Sequence, residues 1–297
     1  MTADRVAIAG GRFAATIDPL GAELASLRVD GAREILWQGD PAWWSGRAPL
    51  LFPVVGRSPD GRARWRGATF DMPPHGVARQ SSFAVREARA DAARFELRDD
   101  DATRRHYPFA FRLVVAYSLG ADGLTMTASA ENLSRDTPMP AGLGFHPGFA
   151  WPLVEGAAKT SHALVFDAPE PAPIRRIDRT GLMLRHGLPT PVRGRRLDLV
   201  DTLFTDDAII FDRLVSRRVW FGVPGQPGLR VDFPDCPHLG VWMRPGAPYL
   251  CIEPWQGFAP EIGDDGDLAR RPGSVMLPPG GALVRTLRIA LDDVPGG

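Results

Sequence analysis

Lysine is almost missing from this 297-residue chain. Lys159 is the only one, and arginine supplies the remaining positive charge against an equal number of acidic residues. A Schiff-base mechanism would have to run through Lys159, whose neighbours give no sign of an activated amine. With zero formal net charge, nothing argues for a nucleic-acid surface or an anionic membrane partner. Only two cysteines occur, Cys236 and Cys251, so there is no disulfide scaffold to read. No apolar run is long enough to span a bilayer, and no charged-then-apolar leader is found. The expected compartment is therefore the cytoplasm. A sustained 3.6-residue apolar stripe is missing too, and 29 prolines and 32 glycines would break most helices.

What the chain does have is short alternation punctuated by Gly, Pro and Asp. Leu124 to Asn132 takes apolar and polar residues in turn. Phe111 to Leu119 precedes it across Ala121-Asp122-Gly123, which reads as a hairpin. Further strands are expected at Phe13–Ile17, Leu24–Val29, Arg94–Arg98, Leu164–Phe166, Ala208–Phe211, Val219–Val223, Leu229–Phe233, Leu239–Met243, Tyr249–Glu253 and Val284–Leu291, with turns at Asp30-Gly31 and Asp60-Gly61. Many strands without a βαβ rhythm predict an all-β chain, a large antiparallel sandwich or barrel. No linker or repeat divides it, so residues 1–297 are expected to form one domain.

Three titratable residues stand in unusual settings. Glu253 lies in the largely apolar run Ala-Pro-Tyr-Leu-Cys-Ile-Glu-Pro-Trp-Gln-Gly-Phe. Burial there would raise its pKa toward a working range. In an extended strand Tyr249, Cys251 and Glu253 share one face, and Pro254, lacking an N–H, is expected to end the ladder. That places Glu253 at a strand exit beside Trp255; the competing reading is a buried glutamate paired with an arginine. His146, in Gly-Leu-Gly-Phe-His-Pro-Gly-Phe, has small neighbours that admit a ligand and aromatic faces that suit a sugar ring; a backbone-satisfied turn histidine is the alternative. His75, between two prolines and Gly76, is held stiffly at a turn, where a loop-capping role competes. A histidine facing a carboxylate across a pocket can exchange protons at neutral pH.

Arg57, where the apolar strand expected in Leu-Phe-Pro-Val-Val-Gly-Arg runs into Gly56 and a charged tip, and Arg79 are candidate substrate clamps, Arg57 the stronger. Asp207 can accept hydrogen bonds from hydroxyls, though Asp206 competes and a turn role suits both. Sharper motifs fail. Gly142-Leu-Gly144 with Gly148 has the wrong spacing for a dinucleotide fingerprint, and there is no P-loop. Cys236, His238 and Cys251 lack a fourth zinc ligand and the standard spacing. No metal or cofactor is expected. A glycosidase would need a second carboxylate set like Glu253, and none is found.

Taken in order, Leu50–Arg57, Pro74–Arg79, Gly144–Phe149, Leu250–Gly257 and the ending from Pro272 through Leu277-Pro-Pro-Gly-Gly281 resemble the aldose 1-epimerase (galactose mutarotase) family, in its LacX-like bacterial branch. The similarity runs from about Val6 to Leu291. It implies a large antiparallel β-sandwich that interconverts the α and β anomers of aldoses. By that resemblance Glu253 is the general base on the C1 hydroxyl and His146 the general acid toward the ring oxygen. His75 and Arg57 hold the sugar, with Trp255 beside it; Asp207 is the nearest match to the family's sugar-binding aspartate, but its usual flanking histidine is absent. The implied partner is a monosaccharide bound by a monomer or homodimer. Two rivals remain: a hexose-6-phosphate epimerase with an arginine cluster at the pocket mouth, and a sugar-binding or regulatory module without turnover.

Overall fold

The computed structural model describes residues 4–292. A nine-stranded antiparallel sheet takes its centre from two long neighbours, Phe111–Gly120 and Gly123–Asn132, joined at the expected turn. The second of these alternates buried and half-buried residues along its whole length, as a strand with one face on a core must. The Ala282–Asp292 strand pairs with it and carries the sheet onward to Gly228–Asp232.

A six-stranded sheet faces the first. Its middle strand, Tyr249–Gln256, is buried at every position and is flanked by His238–Trp242 on one side. The two sheets meet through interlocking aromatics: Phe52 lies 5.1 Å from Phe111, and Phe166 lies 5.3 Å from Phe211. This is the antiparallel sandwich the sequence predicts. A four-stranded sheet built from Val6–Gly10, Phe13–Asp18, Glu23–Val29 and Arg33–Glu34 packs alongside, tied down by the Tyr117 hydroxyl donating to Ala22 O.

Helix is nearly absent among the described residues. The one α-helical turn, Asp101–Arg104, is held by a reciprocal Asp100–Thr103 capping box. No helix there is long and apolar enough to cross a membrane. Both Asp-Gly turns form with left-handed backbones, Asp30 at φ 53° and Asp60 at φ 51°.

Two local expectations need correction. The strand carrying Glu253 does not end at Pro254; it runs to Gln256, with Leu239 opposite Pro254 and His238 opposite Trp255. Its other neighbour is broken in two, Leu143–Phe145 and Gly148–Ala150, with His146-Pro147 in the gap. Ile252 N–H points to that side, donating to Pro147 O at 3.1 Å, so Pro254, two residues on, points there as well. Its missing donor falls where the neighbouring ladder is interrupted, and the strand survives. The apolar run before Arg57, in turn, gives only a two-residue strand, Leu50–Leu51.

Candidate functional site

The gap in the broken strand is where the site forms. Glu253, mid-strand, projects toward the His146 side chain that the gap releases, and His146 Nε2 stands 3.1 Å from Glu253 Oε2. Both are buried, at 7% and 2% exposure. They line a cleft of about 240 Å³ together with His75, Arg57, Asp207 and Trp255. The six candidates, from five separate segments, thus share one cavity, joined by Arg79.

Burial disfavours charge on both members of the pair. It pushes the Glu253 carboxyl well above the usual carboxylate range, and the negative charge of Asp207 adds to that. It pushes His146 well below the ordinary histidine value, helped by His75 nearby. The favoured state therefore holds one proton between two neutral groups. His146 Nδ1 has no hydrogen-bond partner within the protein.

His75 is fixed twice over by one neighbour. Its N–H donates to Gly56 O at 2.9 Å, and its Nδ1 accepts the Gly56 N–H at 3.2 Å. An accepting Nδ1 leaves the ring proton on Nε2. Desolvation and the charges of Arg79, Arg271 and Arg57 push its pKa down to about 3, so it stays neutral and can donate. Gly76, at φ 80°, lies so close to Phe52 O that no side chain would fit there.

Other parts of the site escape sequence reasoning. The Trp44 ring lies 4.9 Å from His146 and 5.6 Å edge-on from Trp242, and both tryptophans wall the cleft. The signal was a Trp-Trp pair in the otherwise polar Asp40–Arg47 loop. Arg271, itself buried, donates to Val55 O at 2.5 Å, Arg57 O at 3.0 Å and Ser58 Oγ at 3.1 Å, fixing the segment that presents Arg57. Arg176 does the same for Asp207, donating to Asp207 O and Leu203 O at 2.6 Å each. Asp207 itself is exposed, at φ 65°, and its carboxylate also caps the Ala208 N–H. The Cys236, His238 and Cys251 side chains do not gather; Cys251 falls in with His146 and Glu253 instead.

The sequence matches the family model for aldose 1-epimerase over residues 4–289. The chain belongs to the aldose 1-epimerase family. It is 33% identical over 262 residues to the plasmid-borne protein LacX of Lactococcus lactis subsp. lactis, covering 85% of this chain and 88% of that relative. A galactose mutarotase-like protein from Lactobacillus casei superposes with a TM-score of 0.87 at 27% identity, over 97% of this chain and all of that one. A galactose mutarotase related enzyme from Lactobacillus acidophilus gives 0.87 at 30% identity, covering 99% and 100% of the two chains. Membership makes this a carbohydrate epimerase fold, and the cleft lies where its polar and aromatic side chains converge.

Proposed function

We propose that the protein interconverts the α and β anomers of aldohexoses through ring opening and reclosure. The observation that carries this reading is the 3.1 Å contact between His146 and Glu253 at the floor of the cleft. One proton transfer along it yields the reactive form, Glu253 ionised and His146 protonated. Glu253 then takes the proton of the C1 hydroxyl and the freed electron pair forms the aldehyde C=O. The C1–O5 bond breaks, and O5 receives the proton of His146. Both groups end neutral, the state that burial favours, so the low-dielectric floor assists ring opening. After rotation about C1–C2, His146 removes the O5 proton as O5 attacks the other carbonyl face, and Glu253 returns a proton to O1.

His75 Nε2–H donates to the sugar near the reacting oxygens. Arg57 and Asp207 hold hydroxyls, and Trp255, with Trp44, offers an apolar face to the ring C–H groups. Each positioned acid or base contributes about 10²–10⁴ in rate, or roughly 3–5 kcal/mol. Replacing Glu253 with Gln is expected to lower the rate by about that factor while preserving the fold. Polarimetry on freshly dissolved α-D-glucose and α-D-galactose measures it; an unaccelerated rate with the wild-type protein on all common aldoses overturns the reading. Saturable quenching of tryptophan fluorescence by sugar without turnover would instead indicate a binding or regulatory module.

One observation favours a second reading. Arg57 and Arg79 both line the cleft, and neither forms an ion pair among the described residues. A hexose 6-phosphate would give them an anion to grip. Comparing kcat/KM on free and phosphorylated glucose separates the two substrates.

A further inference from the structure

Cys251 takes no part in the acid–base cycle, yet it sits against its centre. It precedes Glu253 by two residues on the Tyr249–Gln256 strand, so both side chains leave the same face of the sheet. The thiol is wholly buried, and His146 reaches in from the gap in the adjoining strand. Donor atoms of His146, Cys251 and Glu253 all lie within 4.8 Å of one another, the one such trio of histidine, cysteine or acidic side chains among the described residues.

We propose that His146, Cys251 and Glu253 form a binding site for a thiophilic divalent cation, Zn²⁺ or Cd²⁺, whose occupation blocks the acid–base pair. One imidazole, one thiolate and one carboxylate suit such an ion far better than Mg²⁺ or Ca²⁺, which want oxygen alone. Bond lengths of about 2.0–2.3 Å set tetrahedral donors roughly 3.3–3.8 Å apart. The 3.1 Å His146–Glu253 contact nearly meets that spacing, and the sulfur must close by about 1 Å. Two of the three ligands, His146 and Glu253, line the cleft, so water from it would supply the fourth ligand, as in sites with three protein ligands.

The charges balance. The ion displaces the thiol proton and the single proton held between Glu253 and His146, and two protons leave as one dication enters. The trio is neutral before and after, so burial that opposes any one charge does not oppose the complex. Once the ion holds the His146 nitrogen and the Glu253 oxygen, neither can exchange a proton with a sugar. The inhibition rests on the proposed mutarotase reading; the binding does not.

Titration of the protein with Cd²⁺, followed by the ultraviolet sulfur-to-cadmium charge-transfer band, tests the site without reference to turnover. One equivalent is expected to saturate the band, Zn²⁺ to displace it, and mutarotation to fall in step with occupancy. Cys251→Ser and the smaller Cys251→Ala, checked for fold by circular dichroism, should abolish the band and keep basal mutarotation. They should weaken inhibition by more than the roughly 10–100-fold typical of losing an outer-shell partner. Cys236→Ser, at the other buried cysteine, should retain the band. Absence of a band in the wild type, its persistence in the Cys251 variants, or equal inhibition of wild type and Cys251→Ala overturns the proposal. A wild-type protein that shows the band but never accelerates mutarotation overturns the functional reading alone.

Discussion

At His75 the backbone and the ring are set by the same strap. A φ of 65° is left-handed backbone that most side chains avoid and asparagine tolerates. The paired hydrogen bonds with Gly56 then aim Nε2–H into the cleft. His75→Asn should therefore keep the melting temperature close to wild type but lose a donor to the sugar. A neutral hydrogen bond is worth about 0.5–1.5 kcal/mol, so kcat/KM should fall roughly 3–10-fold. His75→Ala should lose the same donor and also destabilise the fold, by about 0.5–1.5 kcal/mol, because the Gly56 N–H loses its ring acceptor. Comparing the two by calorimetry and polarimetry separates the positioning of the loop from contact with the sugar.

The strand under the site shows which features were legible in sequence. Tyr249 to Glu253 was readable as a strand, and the shared face of Cys251 and Glu253 follows from alternation alone. Its continuation through Pro254 was not, because the proline's tolerance depends on a break in a neighbour more than 100 positions away. Leu124–Asn132 reads clearly because one of its faces is more exposed than the other. Leu143–Phe145, three residues and all buried, has no pattern to read. Glu253, His146 and His75 were visible through their local chemistry, whereas Trp44, Trp242, Arg176 and Arg271 join the site through contacts that only folding creates. Gly240, opposite Glu253, is such a case: a Cβ there would overlap the Trp255 indole. Gly240→Ala should push that ring into the cleft and cost about 1–3 kcal/mol from overpacking. A thermal melt together with KM for glucose would register both effects.

Across the whole molecule, four of the six histidines are held below their ordinary pKa by burial: His75 at about 3, His238 at about 4, and His146 and His162 also lowered. His238 illustrates the cost of charging them, since its Nδ1 accepts the Gly257 N–H and cannot do so once protonated. Below pH 6.5 the unfolded chain binds protons that the folded one refuses, so stability falls on acidification. Each unit of depression is about 1.4 kcal/mol, so His75 and His238 together imply a loss of several kcal/mol between pH 6.5 and 4. Glu253, raised instead by burial, works the other way and offsets about one of the four histidines, so urea midpoints should still fall beneath pH 6.5; a midpoint unchanged down to pH 4.5 would contradict this. Of these only His238 lies in a strand, and His162 stands just before Ala163–Phe166, both away from the cleft that His75 and His146 line, so acid sensitivity is not confined to the cleft.

The single proton shared by His146 and Glu253 has an electrical consequence. Turnover on a free aldose leaves the charge of the cleft constant, and the substrate brings none. The rate should therefore be indifferent to ionic strength, from about 0.01 M, where the Debye length is roughly 30 Å, to about 1 M, where it is roughly 3 Å. A sugar phosphate drawn in by Arg57 and Arg79 would behave oppositely, its kcat/KM declining as added salt shortens the reach of the two guanidinium fields.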